Sequence, residues 1–142
     1  MITITRKLEF DAGHRVMNHE SKCATLHGHR YVVEIKATAP DLDAIGRVID
    51  FSVLKEKIGT WLDLHWDHNV IVYSEDKETH DALLLIPRKK DPWVSKWNPT
   101  AENMANFLLK EKCPELLLGT DVTVQSVTVW ETPNCKAEAC LS

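Results

Sequence analysis

Leu26-His27-Gly28-His29-Arg30-Tyr31-Val32-Val33-Glu34-Ile35-Lys36-Ala37-Thr38-Ala39 is the stretch whose reading decides how this chain folds. From Arg30 onward it alternates: Val33, Ile35 and Ala37 fall on one face, Glu34 and Lys36 on the other. That period of two marks a half-buried strand, and Pro40 ends it. If the extended backbone begins at Leu26, His27 and His29 project from the same side. Two imidazoles at that spacing can share a metal ion, and a neighbouring strand can supply a third. Three histidines with an open fourth position is the layout of a catalytic zinc site. Gly28 between them permits close backbone approach to a ligand. An isolated His-x-His is also an ordinary exposed strand pair, so the surroundings must decide.

Upstream, Ile2, Ile4, Arg6, Leu8 and Phe10 share one face of a second predicted strand, which delivers Asp11-Ala12-Gly13-His14. His14 is thus a third candidate metal ligand. The polar, irregular segment from Arg15 to Ala24 reads as a loop carrying Cys23, four residues before His27.

The 142 residues suffice for one domain, 1–142, with a sizeable core. A net charge of −4 does not suggest a nucleic-acid partner. No apolar run reaches membrane-spanning length, and Met1-Ile2-Thr3-Ile4-Thr5-Arg6 has no signal-peptide anatomy. Cys23, Cys113, Cys135 and Cys140 form no C-x-x-C pair, so free thiols in a reducing cytoplasm are expected. Cys135 and Cys140 could bridge, but two thiols in a frayed tail is the plainer reading.

Further along, Asp41 to Gly46 reads as a turn. A helix follows with Asp50 or Ser52 as cap and Val53, Leu54, Ile58, Trp61, Leu62 and Leu64 as its apolar face. Val70 to Tyr73 is a short strand, Glu78 to Leu85 a short helix, and Pro92 to Trp97 an edge strand. The segment from Glu75 to Trp97 has no functional reading. Thr100 caps a second long helix that runs to about Lys112, where Pro114 stops it. Asp121 to Trp130 alternates as a long strand. The expected fold is α+β: an antiparallel sheet with two long helices packed on one face. Its open edges weakly favour pairing with other copies.

Six motifs now stand in order: Phe10-Asp11-Ala12-Gly13-His14, Cys23-x-x-x-His27-Gly28-His29, Gly46-Arg47-Val48-Ile49-Asp50-Phe51, Asp67-His68-Asn69, Pro99-Thr100-Ala101-Glu102-Asn103 and Trp130-Glu131-Thr132. In this order they resemble the 6-pyruvoyl-tetrahydropterin synthase / 6-carboxytetrahydropterin synthase family. The resemblance implies a tunnelling fold (T-fold) assembled into an oligomeric barrel, a homo-hexamer with active sites shared between subunits. It implies 7,8-dihydroneopterin triphosphate as substrate. The tetrahydrobiopterin branch places five residues between the cysteine and the first histidine, the queuosine branch three. Here Ala24, Thr25 and Leu26 make three. The chain therefore resembles the 6-carboxytetrahydropterin synthases, lyases that release acetaldehyde and triphosphate. A synthase that eliminates triphosphate only is the alternative. A non-catalytic pterin-binding protein is a third reading, against which Cys23 speaks.

By that resemblance, His14, His27 and His29 would bind Zn²⁺, whose Lewis acidity lowers the pKa of substrate hydroxyls. Cys23 would be the thiolate base, and Asp67 with His68 the second proton-handling pair, partly across a subunit boundary. Adjacent residues rarely bond each other directly, and polar turn residues are the plain alternative. The family's Asp-His-x-x-Leu-Asn becomes Asp67-His68-Asn69-Val70-Ile71-Val72, which loses the asparagine, and His65 competes with His68. Glu131 would anchor the pterin by a bidentate contact. Thr100 is a weaker substrate candidate whose alternative is helix capping, and Glu102, Asn103 and Asp50 share that alternative. Arg15, Arg30, Lys36 or Lys55 would have to supply cations for the triphosphate. The run Arg88-Lys89-Lys90 reads as a solvated face.

Overall fold

The computed structural model describes residues 1–142. Six strands, β1 (Ile4–His14), β2 (His27–Thr38), β3 (Asn69–Tyr73), β4 (Trp93–Ser95), β5 (Thr123–Thr132) and β6 (Cys135–Cys140), form one sheet in the order β4-β3-β1-β2-β5-β6. Helix α1 covers residues 51–65, α2 Lys77–Leu84 and α3 residues 101–116.

The long strands β1, β2, β5 and β6 pair antiparallel, as their alternation leads one to expect. The two short strands depart from an all-antiparallel sheet. β3 runs parallel to β1 and β4 parallel to β3. β4 follows β3 through helix α2, the crossover that a parallel pair needs, whereas β3 reaches the side of β1 after β2 and α1.

One face of the sheet is apolar. Leu8, Phe10 and Ala12 of β1 join Tyr31, Val33 and Ile35 of β2 and Val127 and Val129 of β5. Leu54, Ile58 and Leu62 of α1, and Met104, Leu108 and Leu109 of α3, cover that face. Full burial of a side chain of this size contributes about 1.5–3 kcal/mol over leaving it exposed. Asp50 caps α1 by accepting the Ser52 N–H at 2.8 Å.

Several boundaries differ from expectation. β1 runs through Asp11-Ala12-Gly13-His14 rather than ending before it, because all four pair with β2. Leu64 faces solvent, and Trp66 occupies the buried position expected of it. Helix α3 does not stop at Pro114 but continues to Leu116. A π-helical stretch, Leu108–Lys112, lies directly before the proline. Its wider turn shifts the carbonyls that a proline ring would otherwise strike. Cys135 and Cys140 lie not in a frayed tail but at the two ends of β6. Five residues of strand separate their Cα atoms by about 17 Å, against a disulfide limit of about 7 Å. All four cysteines are free.

Candidate active site

The register of β1 on β2 builds the histidine cluster. His14 lies opposite His27, and Ala12 opposite His29. All three imidazoles therefore sit on the helix-covered face, one step beyond Phe10 and Tyr31. The ring centroids are 4.7 Å (His14–His27), 5.1 Å (His14–His29) and 4.8 Å (His27–His29) apart. One ligand atom from each falls within 4.8 Å of the others. Gly28 serves this register in a way the sequence did not suggest. The carbonyl oxygen of Ala12 stands 3.2 Å from where a Cβ would be.

The donor set fits a metal ion. His14 Nδ1 lies 2.6 Å from the Pro99 carbonyl, and His27 Nδ1 2.6 Å from the Thr25 carbonyl. A carbonyl can only accept, so both Nδ1 atoms carry the proton and both Nε2 atoms keep a free lone pair. Nε2 of His14 and of His29 are buried and have no hydrogen-bond partner. Burial lowers His14 to about 4, an effect that His27 and His29 reinforce and the Pro99 hydrogen bond opposes. Burial lowers His29 as well, against the attraction of Glu131. Burial thus favours, in His14 and His29, the neutral form that ligates a cation.

Glu131, on β5, brings its Oε1 to 3.9 Å from His14 Nε2. It lines a cleft of about 420 Å³ with Ala101, Glu102 and Cys135. A carboxylate at that place can accept two donors from a ligand seated over the histidines. Thr100 acts as the cap of α3, its hydroxyl oxygen accepting the Asn103 N–H at 3.1 Å. Pro99 and Tyr31 escaped the sequence reading. Pro99 acts through its carbonyl, which no side-chain motif reports. Tyr31 is fully buried, stacked on Phe10, with a hydroxyl that has no partner. Its place two residues after His29, on the same face, was the available signal.

Cys23 lies in a short 3₁₀ turn, Lys22–Ala24, and is half-buried. Its thiol does not join the histidine cluster, which leaves that set of three open. Asp67 and His68 do bond each other directly, contrary to expectation. His68 Nδ1 lies 2.9 Å from Asp67 Oδ2. The left-handed backbone of His68, φ 54°, turns the ring back onto its neighbour. Asp67 Oδ1 accepts the Asp11 N–H at 2.9 Å, and the Asp11 carbonyl accepts the His68 N–H at 2.7 Å. His65 has no such carboxylate and packs against Trp61. Burial raises Asp67, but hydrogen bonds from Asp11 and His68, with Lys90 nearby, outweigh it and lower the carboxyl.

The Asp11 carboxylate, which alternates with Ala12 along β1, gathers with Asp67 and His68 into a group of side chains distinct from the three histidines. His68 lines a cavity of about 540 Å³ with Asp11, Gly28, His29 and Arg30, so a member of the histidine cluster meets the same cavity. Within one chain the structure brings the three histidines and Glu131 together, and separately Asp67 and His68.

The proposed cations are largely engaged. Arg30 pairs with Asp11 at 3.1 Å and Glu9 at 3.3 Å, and Arg15 with Asp76 at 2.7 Å. Lys55 and Arg30 line a separate cleft with Arg6. Nor is Arg88-Lys89-Lys90 simply a solvated face. Lys90 donates to the carbonyls of Asp63 and Asp67, both at 2.6 Å, closing the end of α1. Arg88 donates to the Leu84 carbonyl at 3.0 Å, closing α2.

A family model described as 6-pyruvoyl tetrahydropterin synthase matches residues 3–140. The chain is 43% identical to a 6-carboxy-5,6,7,8-tetrahydropterin synthase of Rickettsia felis, over 97% of this chain and 99% of that one. It is 29% identical to the enzyme of that name from Haemophilus influenzae, with 97% and 98% covered. Among solved structures, a Caenorhabditis elegans 6-pyruvoyl tetrahydropterin synthase superposes with a TM-score of 0.71 at 25% identity, covering 99% and 96%. An uncharacterized Wolinella succinogenes protein shares the fold with a TM-score of 0.82 at 23% identity, covering 99% and 98%. No helix is long and apolar enough to cross a membrane. With a family model spanning nearly every residue and relatives matched over their full length, the chain belongs to the 6-pyruvoyl tetrahydropterin synthase family.

Proposed function

We propose that this protein is a zinc-dependent lyase that converts 7,8-dihydroneopterin triphosphate to 6-carboxy-5,6,7,8-tetrahydropterin, acetaldehyde and triphosphate. The observation that carries the reading is the pair of orphaned, buried Nε2 atoms of His14 and His29, aimed with His27 at one point beside Glu131. The names of the R. felis and H. influenzae relatives support the product. So does the three-residue spacing from Cys23 to His27.

In this reading His14, His27 and His29 hold Zn²⁺, which supplies Lewis acidity toward the substrate's side-chain hydroxyls. Glu131 accepts donors of the pterin ring and orients it, and Thr100 borders the same end of the site. Cys23, as thiolate, takes the proton from the side-chain carbon. His68, its Nδ1–H held by Asp67, presents Nε2 as the second proton-transfer atom. In this reading a second copy of the chain completes each site. The homo-oligomer, the queuosine route and the cytoplasmic setting belong to the same proposal.

Mass spectrometry of products tests it, with zinc-loaded protein and dihydroneopterin triphosphate under anaerobic, reducing conditions. A 6-carboxy product with acetaldehyde supports the proposal. A 6-pyruvoyl product moves the chain to the synthase that eliminates triphosphate only. Tight binding with unchanged substrate overturns the enzyme reading in favour of a pterin-binding protein.

A further inference from the structure

The segment from Glu75 to Trp97 and the turn after it grip the stem of the Cys23 loop at two points. Arg15, Val16 and Met17 leave β1 in succession. Arg15 Nε donates to Asp76 Oδ2 at 2.7 Å. Asp76 is 3% exposed, and its other oxygen accepts the Thr79 N–H at 3.2 Å, so the carboxylate is anchored to the start of α2. Met17 is held on both backbone groups by one side chain. Its N–H donates to Asn98 Oδ1 at 3.0 Å, and its carbonyl accepts from Asn98 Nδ2 at 2.9 Å. Asn98 is itself fixed, its carbonyl accepting from Asn103 Nδ2 at 2.9 Å. Between the two clamped residues, the Val16 N–H donates to the Cys23 carbonyl at 2.8 Å.

The clamped stem therefore carries Cys23 through a single backbone hydrogen bond. The next residue, Pro99, holds His14 Nδ1. One turn thus references both the loop that bears the thiol and a member of the histidine cluster.

We infer that Asp76 and Asn98 are positioning residues that set where the Cys23 thiol stands relative to the histidine cluster. The inference rests on the reading of Cys23 as the proton-transfer thiol. Neither residue touches the reacting atoms. Both act through the backbone of residues 15–17.

The test uses the full chain with Asn98→Ala, Asn98→Asp and Asp76→Asn, each checked for folding and zinc content. Cys23 alkylation by iodoacetamide is measured against Cys135 and Cys140, which are exposed and serve as internal references. Release of the stem should speed Cys23 alkylation about fivefold or more over the references, because a half-buried thiol becomes accessible. In the same variants kcat should fall about tenfold or more with KM changed less than about threefold, since the thiol is misplaced while binding groups are not. Asn98→Asp keeps the acceptor for the Met17 N–H and should fall between Asn98→Ala and the parent. An alkylation ratio at the parent value in folded, zinc-loaded variants overturns the inference. So does a kcat loss that merely follows zinc loss. If Asn98→Ala does not fold, Asn98→Asp and Asp76→Asn decide. A parent protein that makes no product sinks the proposed activity instead, while the alkylation ratio still judges the positioning.

Discussion

Oδ2 of Asp67 lies 2.9 Å from Nδ1 of His68, the residue next to it in the chain. The contact exists because His68 takes a left-handed backbone, φ 54°, and because the Asp11 amide holds the other carboxylate oxygen. Asp67→Asn keeps an acceptor for Asp11 but can present an amide N–H to His68 Nδ1, which reverses the imidazole tautomer. The expected loss in kcat is about 10²–10⁴-fold, the usual worth of a positioned general acid or base. NMR of the His68 ring nitrogens should show the tautomer change, and an unchanged tautomer with unchanged kcat refutes the assignment.

Acid should act on the metal-free protein through His14. Its folded value is about 4 against an ordinary 6.5, so between those limits the unfolded chain binds the extra proton. Stability must therefore fall as pH drops from about 6.5 to 4, by on the order of 3 kcal/mol. His29 is lowered in the same direction and adds to the loss. Urea unfolding of chelated protein at stepped pH measures it, and a flat profile across that window would contradict the geometry.

Gly28→Ala should be disruptive although Gly28 has no special dihedral. The new methyl would meet the Ala12 carbonyl oxygen at 3.2 Å, and backbone cannot swing aside as a side chain can. We expect about 1–3 kcal/mol of destabilisation, typical of overpacking. Zinc affinity should fall with it, because the His14–His27 register is displaced. Calorimetric unfolding and zinc titration read the two effects, and a variant with parental values in both refutes the close approach.

Tyr31→Phe should behave in the opposite sense. The phenol is fully buried without a partner, and burial first, then the Glu131 charge, push its pKa upward. Removing a hydroxyl that is desolvated and unpaired should raise the stability of the ligand-free protein by about 1 kcal/mol. A loss of similar size would show that the hydroxyl is satisfied in solution.

A subunit-mixing experiment tests whether the proposed site is shared between copies of the chain. His27→Ala and His68→Ala should each be inactive alone. Co-refolded in equal amounts, they should recover about one quarter of parental activity, the fraction of sites that draw an intact histidine cluster from one copy and an intact dyad from the next. No recovery would place the whole site within one chain.

Much of this was legible in the sequence, and the reasons are local. His27 and His29 share a face because strand side chains alternate, and the same rule put His14 on the strand opposite. Thr100 and Asp50 are caps with short-range partners. What escaped depends on distant backbone. The direct Asp67–His68 bond needs a positive φ that histidine seldom adopts. The parallel pairing of β3 with β1 joins strands that β2 and α1 separate in the chain, which no local pattern reports. Asp76 and Asn98 look like ordinary loop residues until the fold sets them beside Arg15 and Met17, 61 and 81 positions away. Cys135 and Cys140 invite a bridge until β6 stretches between them.

The pairing of His14 with His27 makes the histidine trio a property of a two-stranded ribbon, with the Thr25 and Pro99 carbonyls trimming its rings. Inserting or deleting one residue within β1 or β2 would turn part of the trio to the opposite face. Lengthening the chain between Met17 and Cys23 would leave the strand register and the Thr25 contact to His27 in place and move the thiol. The reach of the cysteine toward the three histidines is thus set by the length of one loop, independently of the strand register that groups the imidazoles.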